Sequence, residues 1–484
     1  MPAPLGTMTT LDGIPAFVGT KEGPLTAGLI VRAGECDEQL AHHGISHLVE
    51  HLLLGNVGRH LTSWNGFVDL QTTNFVVHGS PDEVVEFFDS LCTTLLDPPY
   101  ARIPTEAQVL RTEAASRGGR GILAAALRTR IGPRNYGLRD YREFCFDQPS
   151  PQLVHHWISS HYTTGNAAFW CTGPLPEGLH LRLPPGEASP IPPPTWIDEV
   201  YPGFVHERND NIALTVIDTW STELLVALAV AREHLFDLLR TTHGLSYDVS
   251  TATESLGCGR LLHAAVWADG LAENLTDVRD RMSAEMQRLC WDGPSPEVLE
   301  RFRATMRRAL ADDDDSPVAA QARCHVFGTK FNDIGETLAV AEELDPTRVA
   351  ATLATAMRSA LWLVPGQVGW YDRRVTGTRP WSTSVVTGNT IPIAVPEDDT
   401  DRRRLVVGTD GLSMLHGNDS NPVTVRFDQV AALLAYPDGD RSVIGDDGFV
   451  VRIEASRWPD AGGLIRYVDS RVAASRIVYM PPQK

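Results

Sequence analysis

The segment His47-Leu48-Val49-Glu50-His51 places two imidazoles four residues apart with a carboxylate between them. On a helix, residues four apart share a face, so His47 and His51 can both direct a ring nitrogen at one metal ion. Glu50, three residues after His47, lies beside that face. There it can take a proton from a metal-bound water without being a ligand. The spacing is the inverted form of the H-E-x-x-H zinc helix, and zinc lowers the pKa of its water to about 7. A two-histidine helix can equally be a surface accident, so the remaining ligand decides. A catalytic zinc takes a third protein ligand, usually a carboxylate. The stretch 105–128 reads as a helix with Glu106 and Glu113 two turns apart on one face, and no other Asp or Glu follows until Asp140. Either can serve, and taken alone each reads as a solvated helix residue.

The surrounding pattern supplies the elements that must position these side chains. Residues 14–18 and 26–32 read as strands, 44–54 as a helix, 67–78 as strand, and 81–96 and 105–128 as helices. A similar order recurs downstream: strands at 203–206 and 212–218, a helix over 221–240, strands at 245–251 and 260–267, then helices from Leu271 and from Ser295. This is a weak internal repeat of an α+β unit, visible in pattern more than in identity. The six prolines between Pro184 and Pro194 predict a stiff linker over 184–196. A Thr/Ser/Gly/Pro mixture over 373–401 predicts a second linker. The chain therefore divides into 1–183, 197–372 and 402–484. The last part has short strand-like runs and one terminal helix, the outline of a small β-rich, pleckstrin-homology-like domain. The acidic run Asp312 to Asp315 reads as a solvated turn, and His42 and His43 read as surface residues.

The stretch Gly44-Ile45-Ser46-His47-Leu48-Val49-Glu50-His51-Leu52-Leu53-Leu54-Gly55 resembles the signature of the pitrilysin/insulinase family of inverted zinc peptidases. The preceding Gly28-Leu29-Ile30-Val31-Arg32-Ala33-Gly34 and the acidic turn Asp37-Glu38 fit its pattern, as do two glutamates seven residues apart on the downstream helix. The resemblance implies two pitrilysin-like α+β domains, with Glu113 as third zinc ligand and Glu106 as a carboxylate orienting a ligand histidine. It implies that Asn65, Gly66, Phe67 and Val68 form an edge strand that pairs with extended peptide substrate. The interval from His51 to Glu113 is shorter than is usual in that family, which implies a trimmed loop. Downstream, Phe236-Asp237-Leu238-Leu239-Arg240-Thr241-Thr242-His243-Gly244-Leu245-Ser246-Tyr247 resembles the family's second-domain signature. By that match Arg240 and Tyr247 bind the substrate backbone and stabilise the oxyanion. Without it, Arg240 reads as a helix C-terminal cation and Tyr247 as a half-buried strand residue. Larger members join four such domains, so two imply pairing, as a homodimer or a heterodimer with a related subunit.

Composition excludes other classes. The net charge of −19 repels phosphate backbones and no basic stripe offsets it, so nucleic acid is not an expected partner. The amino terminus lacks a basic region followed by an apolar core, and no apolar run approaches the ~20 residues of a membrane helix. A cytoplasmic protein without membrane contact is expected. The seven cysteines (Cys36, Cys92, Cys145, Cys171, Cys258, Cys290, Cys324) are scattered, with no C-x-x-C pair, and read as free thiols. The expected function is a zinc endopeptidase acting on short or unfolded polypeptides, such as a leader or precursor. The alternative is a non-catalytic scaffold or peptide-binding subunit. Such relatives lose a ligand or the base, whereas this chain keeps each.

Overall fold

The computed structural model describes residues 5–482, apart from 59–60, 62, 117–119, 198–199, 313–316, 371, 379–380, 399 and 418–420. Most of the acidic run at 312–315 therefore lies outside the described residues. The first sheet comprises β1 (Thr7–Leu11), β2 (Ile14–Val18), β3 (Leu25–Val31), β4 (Trp64–Val68), β5 (Thr73–Gly79) and β6 (Ala167–Cys171), in the order β1-β2-β6-β3-β5-β4. The second comprises β7 (Gly203–Glu207), β8 (Asn211–Thr219), β9 (Val249–Leu256), β10 (Leu261–Asp269), β11 (Leu361–Pro365) and β12 (Thr376–Gly377), in the order β12-β7-β11-β8-β10-β9. Five strands correspond in order, β2-β6-β3-β5-β4 with β7-β11-β8-β10-β9. In each, one inner pair is parallel, β2 with β6 and β7 with β11, and the three strands on its β3 or β8 side run antiparallel; at the opposite edge β1 pairs antiparallel with β2 whereas β12 pairs parallel with β7. The weak repeat in the sequence is thus a repeat of topology.

Strand periodicity sends alternate side chains to opposite faces. On β6, Ala167, Phe169 and Cys171 face one core together with α1 (Ile45–Leu54), α2 (Pro81–Leu96), α3 (Ile103–Ser116) and α5 (Pro151–His161). Ala168 and Trp170 face the other way, where Phe17 and Ile30 join them. That face is covered from the second repeat: Val318 and Ala322 of α9 (Val318–Phe327) complete the cluster. The arrangement is reciprocal. Ala126 of α4 (Ile122–Ile131), from the first repeat, packs on Ala213, Leu361 and Leu363 of the second sheet. Arg130 of α4 is buried there, donating to Thr215 O and Ser359 O at 3.2 and 2.8 Å, and its burial lowers its pKa to about 10. The other face of the second sheet carries α6 (Thr222–Phe236), α7 (Leu275–Asp292), α8 (Pro296–Asp312), α10 (Ile334–Glu343) and α11 (Pro346–Ala356).

This exchange explains one departure from the expected elements. The single helix expected over 105–128 is two, α3 and α4, parted before Gly121 at φ 89°. The chain must turn there to carry α4 across to the other sheet. Because Ala322 is fully buried in an apolar cluster, Ala322→Asp is expected to cost about 3 kcal/mol or more. Urea denaturation should show a lowered midpoint, with hydrogen exchange accelerated in β2, β3 and β6. An unchanged midpoint would mean that α9 does not hold the first sheet.

Part of the second expected linker, 373–401, is strand. Thr376–Gly377 extends the second sheet as β12, and β13 (Gly388–Pro392) begins the third part. There β13, β14 (Arg404–Gly408), β15 (Gly411–Leu415) and β16 (Val423–Arg426) form one antiparallel sheet. The order of the other is β19-β18-β17-β20, from β17 (Val430–Ala435), β18 (Arg441–Gly445), β19 (Val450–Ile453) and β20 (Ile477–Tyr479). Between them and α12 (Ala461–Arg471) lies a separate core that includes Leu433, Val443, Val451 and Leu464. The fold class is α+β. Among the described residues no helix is long and apolar enough to cross a membrane.

Candidate metal centre

Helix α1 starts where the chain needs a residue at positive φ, and Gly44 supplies it at φ 97°. Its first N–H groups are capped from upstream, not by the residue at its head. Glu38 accepts from Gly44 N at 2.7 Å and Ser46 N at 2.9 Å, and meets His43 Nδ1 at 2.6 Å. A carboxylate at this end also complements the helix dipole. The reading of His43 as a surface residue is therefore overturned. It is fully buried as the partner of the capping carboxylate, and only His42 is partly exposed.

One turn on, His47 and His51 share a face, their rings 5.0 Å apart and nearly perpendicular. The donor atoms of His47, Glu50 and His51 lie within 4.8 Å of one another, so the three can hold a metal ion. The glutamates of α3 approach from the side. Glu113 Oε2 lies 3.8 Å from His47 Nε2 and 3.6 Å from His51 Nε2. Glu106 Oε2 lies instead on the outer nitrogen, 3.5 Å from His51 Nδ1. Arg102 Nη2 donates to Glu106 Oε1 at 2.5 Å and Nη1 to Gly55 O at 3.0 Å, tying α3 to the end of α1. The spacing of the two glutamates thus places one on each side of the His51 ring. Burial and the neighbouring His47 lower the pKa of His51, which favours the neutral imidazole that a metal requires.

Glu143 carries no signal in the sequence. Its Oε1 lies 3.2 Å from His47 Nδ1 and its Oε2 2.8 Å from Arg120 Nη2, while Arg120 Nη1 donates to Glu35 at 3.0 Å. Burial alone would raise its pKa, but the His47 hydrogen bond and Arg120 bring it to about 2. Each histidine therefore has a carboxylate on its outer nitrogen. Glu143 stands 96 residues from His47 in an irregular stretch with no periodicity to mark it.

These groups line a cleft of about 480 Å³. Its other wall is β4: Trp64, Asn65, Gly66, Phe67 and Val68 all line it. Strand β4 pairs only with β5, so among the described residues its outer edge carries no strand. Gly66 is required by the closeness of the wall, since a Cβ there would overlap Glu50 Oε1 and Leu54 Cδ1.

Arg240 and Tyr247 meet each other. Arg240 lies in a π-helical turn, Asp237–Thr242, donates to Tyr247 O at 2.8 Å and lies 4.8 Å from the tyrosine ring. Asp269 accepts from Tyr247 N and Asp248 N at 2.8 and 2.9 Å, which pins the loop. Tyr247 is 76% exposed and precedes β9, so it is not a half-buried strand residue. The pair does not join the cleft of its own chain, whose lining runs from Glu35 to Glu143. Nor does the second repeat duplicate the donor set. At the third and seventh positions of α6 stand Leu224 and Leu228, where α1 has His47 and His51.

No protein-family model and no curated protein matches the sequence. By structure the chain is similar to a protease from Helicobacter pylori, with TM-score 0.60 and 14% identity over 75% of this chain and 100% of that one. It is similar to the peptidase M16 inactive domain from Pseudomonas fluorescens, with TM-score 0.59 and 13% identity over 76% and 100%. It is also similar to the first half of the periplasmic protease PqqL from Escherichia coli, with TM-score 0.59 and 14% identity over 76% and 93%. Against whole PqqL the match takes in 88% of this chain and 56% of that one. Two repeats of one topology, each packing a helix on the other's sheet, give about three quarters of this chain the pitrilysin-like fold of the M16 peptidases.

Proposed function

We propose that the chain is a zinc-dependent endopeptidase that cleaves short or unfolded polypeptides, with His47, His51 and Glu113 as metal ligands and Glu50 as general base. The observation that carries this is the convergence of Glu113 on the inner nitrogens of both histidines, at 3.8 and 3.6 Å. Ligands about 2.0–2.1 Å from a tetrahedral zinc lie about 3.3 Å apart, so Glu113 needs to approach each histidine by only about half an ångström. When bound, zinc polarises the scissile carbonyl and makes water acidic enough to ionise near neutral pH. The chain's residues do the rest. Glu50, buried against Gly66, accepts the proton from the attacking water and returns it to the leaving amine. The open edge of β4 holds an extended peptide by its backbone, tolerating varied side chains. Glu106 and Glu143 fix the ring orientations of His51 and His47.

The remaining pair, Arg240 and Tyr247, comes from a second two-domain unit, either another copy of this chain or a related subunit. The match to about half of a larger protease supports pairing. A non-catalytic scaffold is the other reading, favoured by the similarity to an M16 domain described as inactive.

The test is zinc stoichiometry of the purified chain with cleavage of unstructured peptides, before and after chelation. One zinc per chain, with cleavage lost on chelation and restored by zinc, is expected. A chain that takes up no zinc, or cleavage indifferent to chelation, would end the peptidase reading. Zinc uptake without cleavage would leave the scaffold. The ligand assignment has its own test. Glu106→Ala should weaken zinc binding about 10- to 100-fold, and Glu113→Ala more than that. The reverse order would exchange their roles.

A further inference from the structure

We propose that the C-terminal β-rich part is a working component of the metal centre: it seats the segment that holds Glu143 against His47. This rests on the zinc reading above and assigns the third part a role within that same site.

Glu143 is a positioning residue only if its own backbone is held. A hydrogen bond from the outer nitrogen of a ligand imidazole fixes the ring's tautomer and orientation, and its loss weakens metal binding. Yet the segment that carries Glu143 has no regular structure, only 3-10 turns at Asn135–Asp140 and Phe144–Phe146. Such turns have weaker hydrogen-bond geometry than an α-helix, so packing has to fix them. Cys145 and Phe146 anchor one side of it in the first repeat's core, and the other side packs outside the two repeats. Leu138 and Phe144, on either side of Glu143, are buried against Leu434, Ile444, Val478 and Met480 of the C-terminal part. Three polar contacts set the register. Gln148 Nε2 donates to Ile477 O at 3.0 Å and its Oε1 accepts from Tyr479 N at 3.2 Å, while Arg134 pairs with Asp446 at 2.8 Å.

A second contact from the same surface points the same way. Leu40 and Ala41, in the short turn leading into α1, belong to that same apolar cluster. The approach to the metal helix and the carboxylate behind His47 therefore rest on one sheet. On the first repeat's side, Arg111 of α3 donates to Phe146 O and Arg120 bridges Glu143 to Glu35. Glu143 is thus clamped between the glutamate-bearing helix and the C-terminal sheet.

The experiment is zinc affinity, by chelator competition, for the full chain and four variants. Glu143→Gln preserves shape and should bind zinc about 10- to 100-fold more weakly. Val478→Ala trims the seat and should weaken zinc several-fold when Glu143 is present. In the double variant the seat should no longer matter, so its affinity should equal that of Glu143→Gln alone. Val451→Ala, in the separate C-terminal core, controls for general loosening and should bind zinc like the wild type. Wild-type affinity in Glu143→Gln overturns the inference. So does a Val478→Ala loss that persists undiminished without Glu143, or an equal loss in Val451→Ala. A wild-type chain that takes up no zinc overturns the peptidase reading itself, a distinguishable result.

Discussion

Glu50→Gln is expected to keep its zinc and to lose peptide cleavage by about 10²- to 10⁴-fold, a barrier increase of about 3–5 kcal/mol. The residue is 4% exposed, and Gly66 of the edge strand makes room for its carboxylate. Glutamine fills the same space, so the cleft and the histidines should be undisturbed. What it cannot do is accept a proton. Zinc content measured beside the cleavage rate separates the two properties. Unchanged cleavage would remove Glu50 as the base, and lost zinc would make it a ligand or a structural prop.

Mixing two inactive variants is expected to restore activity if the second unit is another copy of this chain. On the proposed mechanism, Glu50→Gln disables the metal side and Arg240→Ala the pair assigned to the transition state. In a two-fold dimer whose sites each combine one copy's cleft with the other's Arg240 and Tyr247, a mixed dimer has one intact site and one doubly damaged site. Random exchange makes half the dimers mixed, so about a quarter of the wild-type rate should return. The geometry behind this is that Tyr247 is 76% exposed while the cleft is lined by the first repeat alone. No recovery after confirmed subunit exchange would exclude a site shared between identical copies and favour a related subunit.

How much of this was legible in the sequence follows from where each residue lies. His47, Glu50 and His51 stand on one amphipathic helix, where spacing translates directly into a shared face. The seven-residue interval of Glu106 and Glu113 does the same for α3, although only the structure shows which histidine nitrogen each approaches. Glu38, Arg120 and Glu143 come from irregular chain, and no period relates them to the site. His43 was misread for the same reason: its partner Glu38 precedes it in a turn, not in a periodic element. The repeat was legible as an order of elements. The exchange of α4 and α9 was not, because an apolar stripe says that a face is buried and not what buries it. Glycines at 118, 119 and 121 are a breaker signal that the single helix expected over 105–128 left unused.

The exchanged helices also impose a schedule on synthesis. The last strand of the first sheet ends at Cys171, but the helix that covers its second face ends at Phe327. At about 5–20 residues per second, roughly 8–30 s of translation separate the two. For that interval Phe17, Ile30 and Trp170 wait on the ribosome without their cover. A nascent chain of this length is a natural client for holding chaperones, and a message truncated before α9 would yield an aggregation-prone product instead of a smaller working domain.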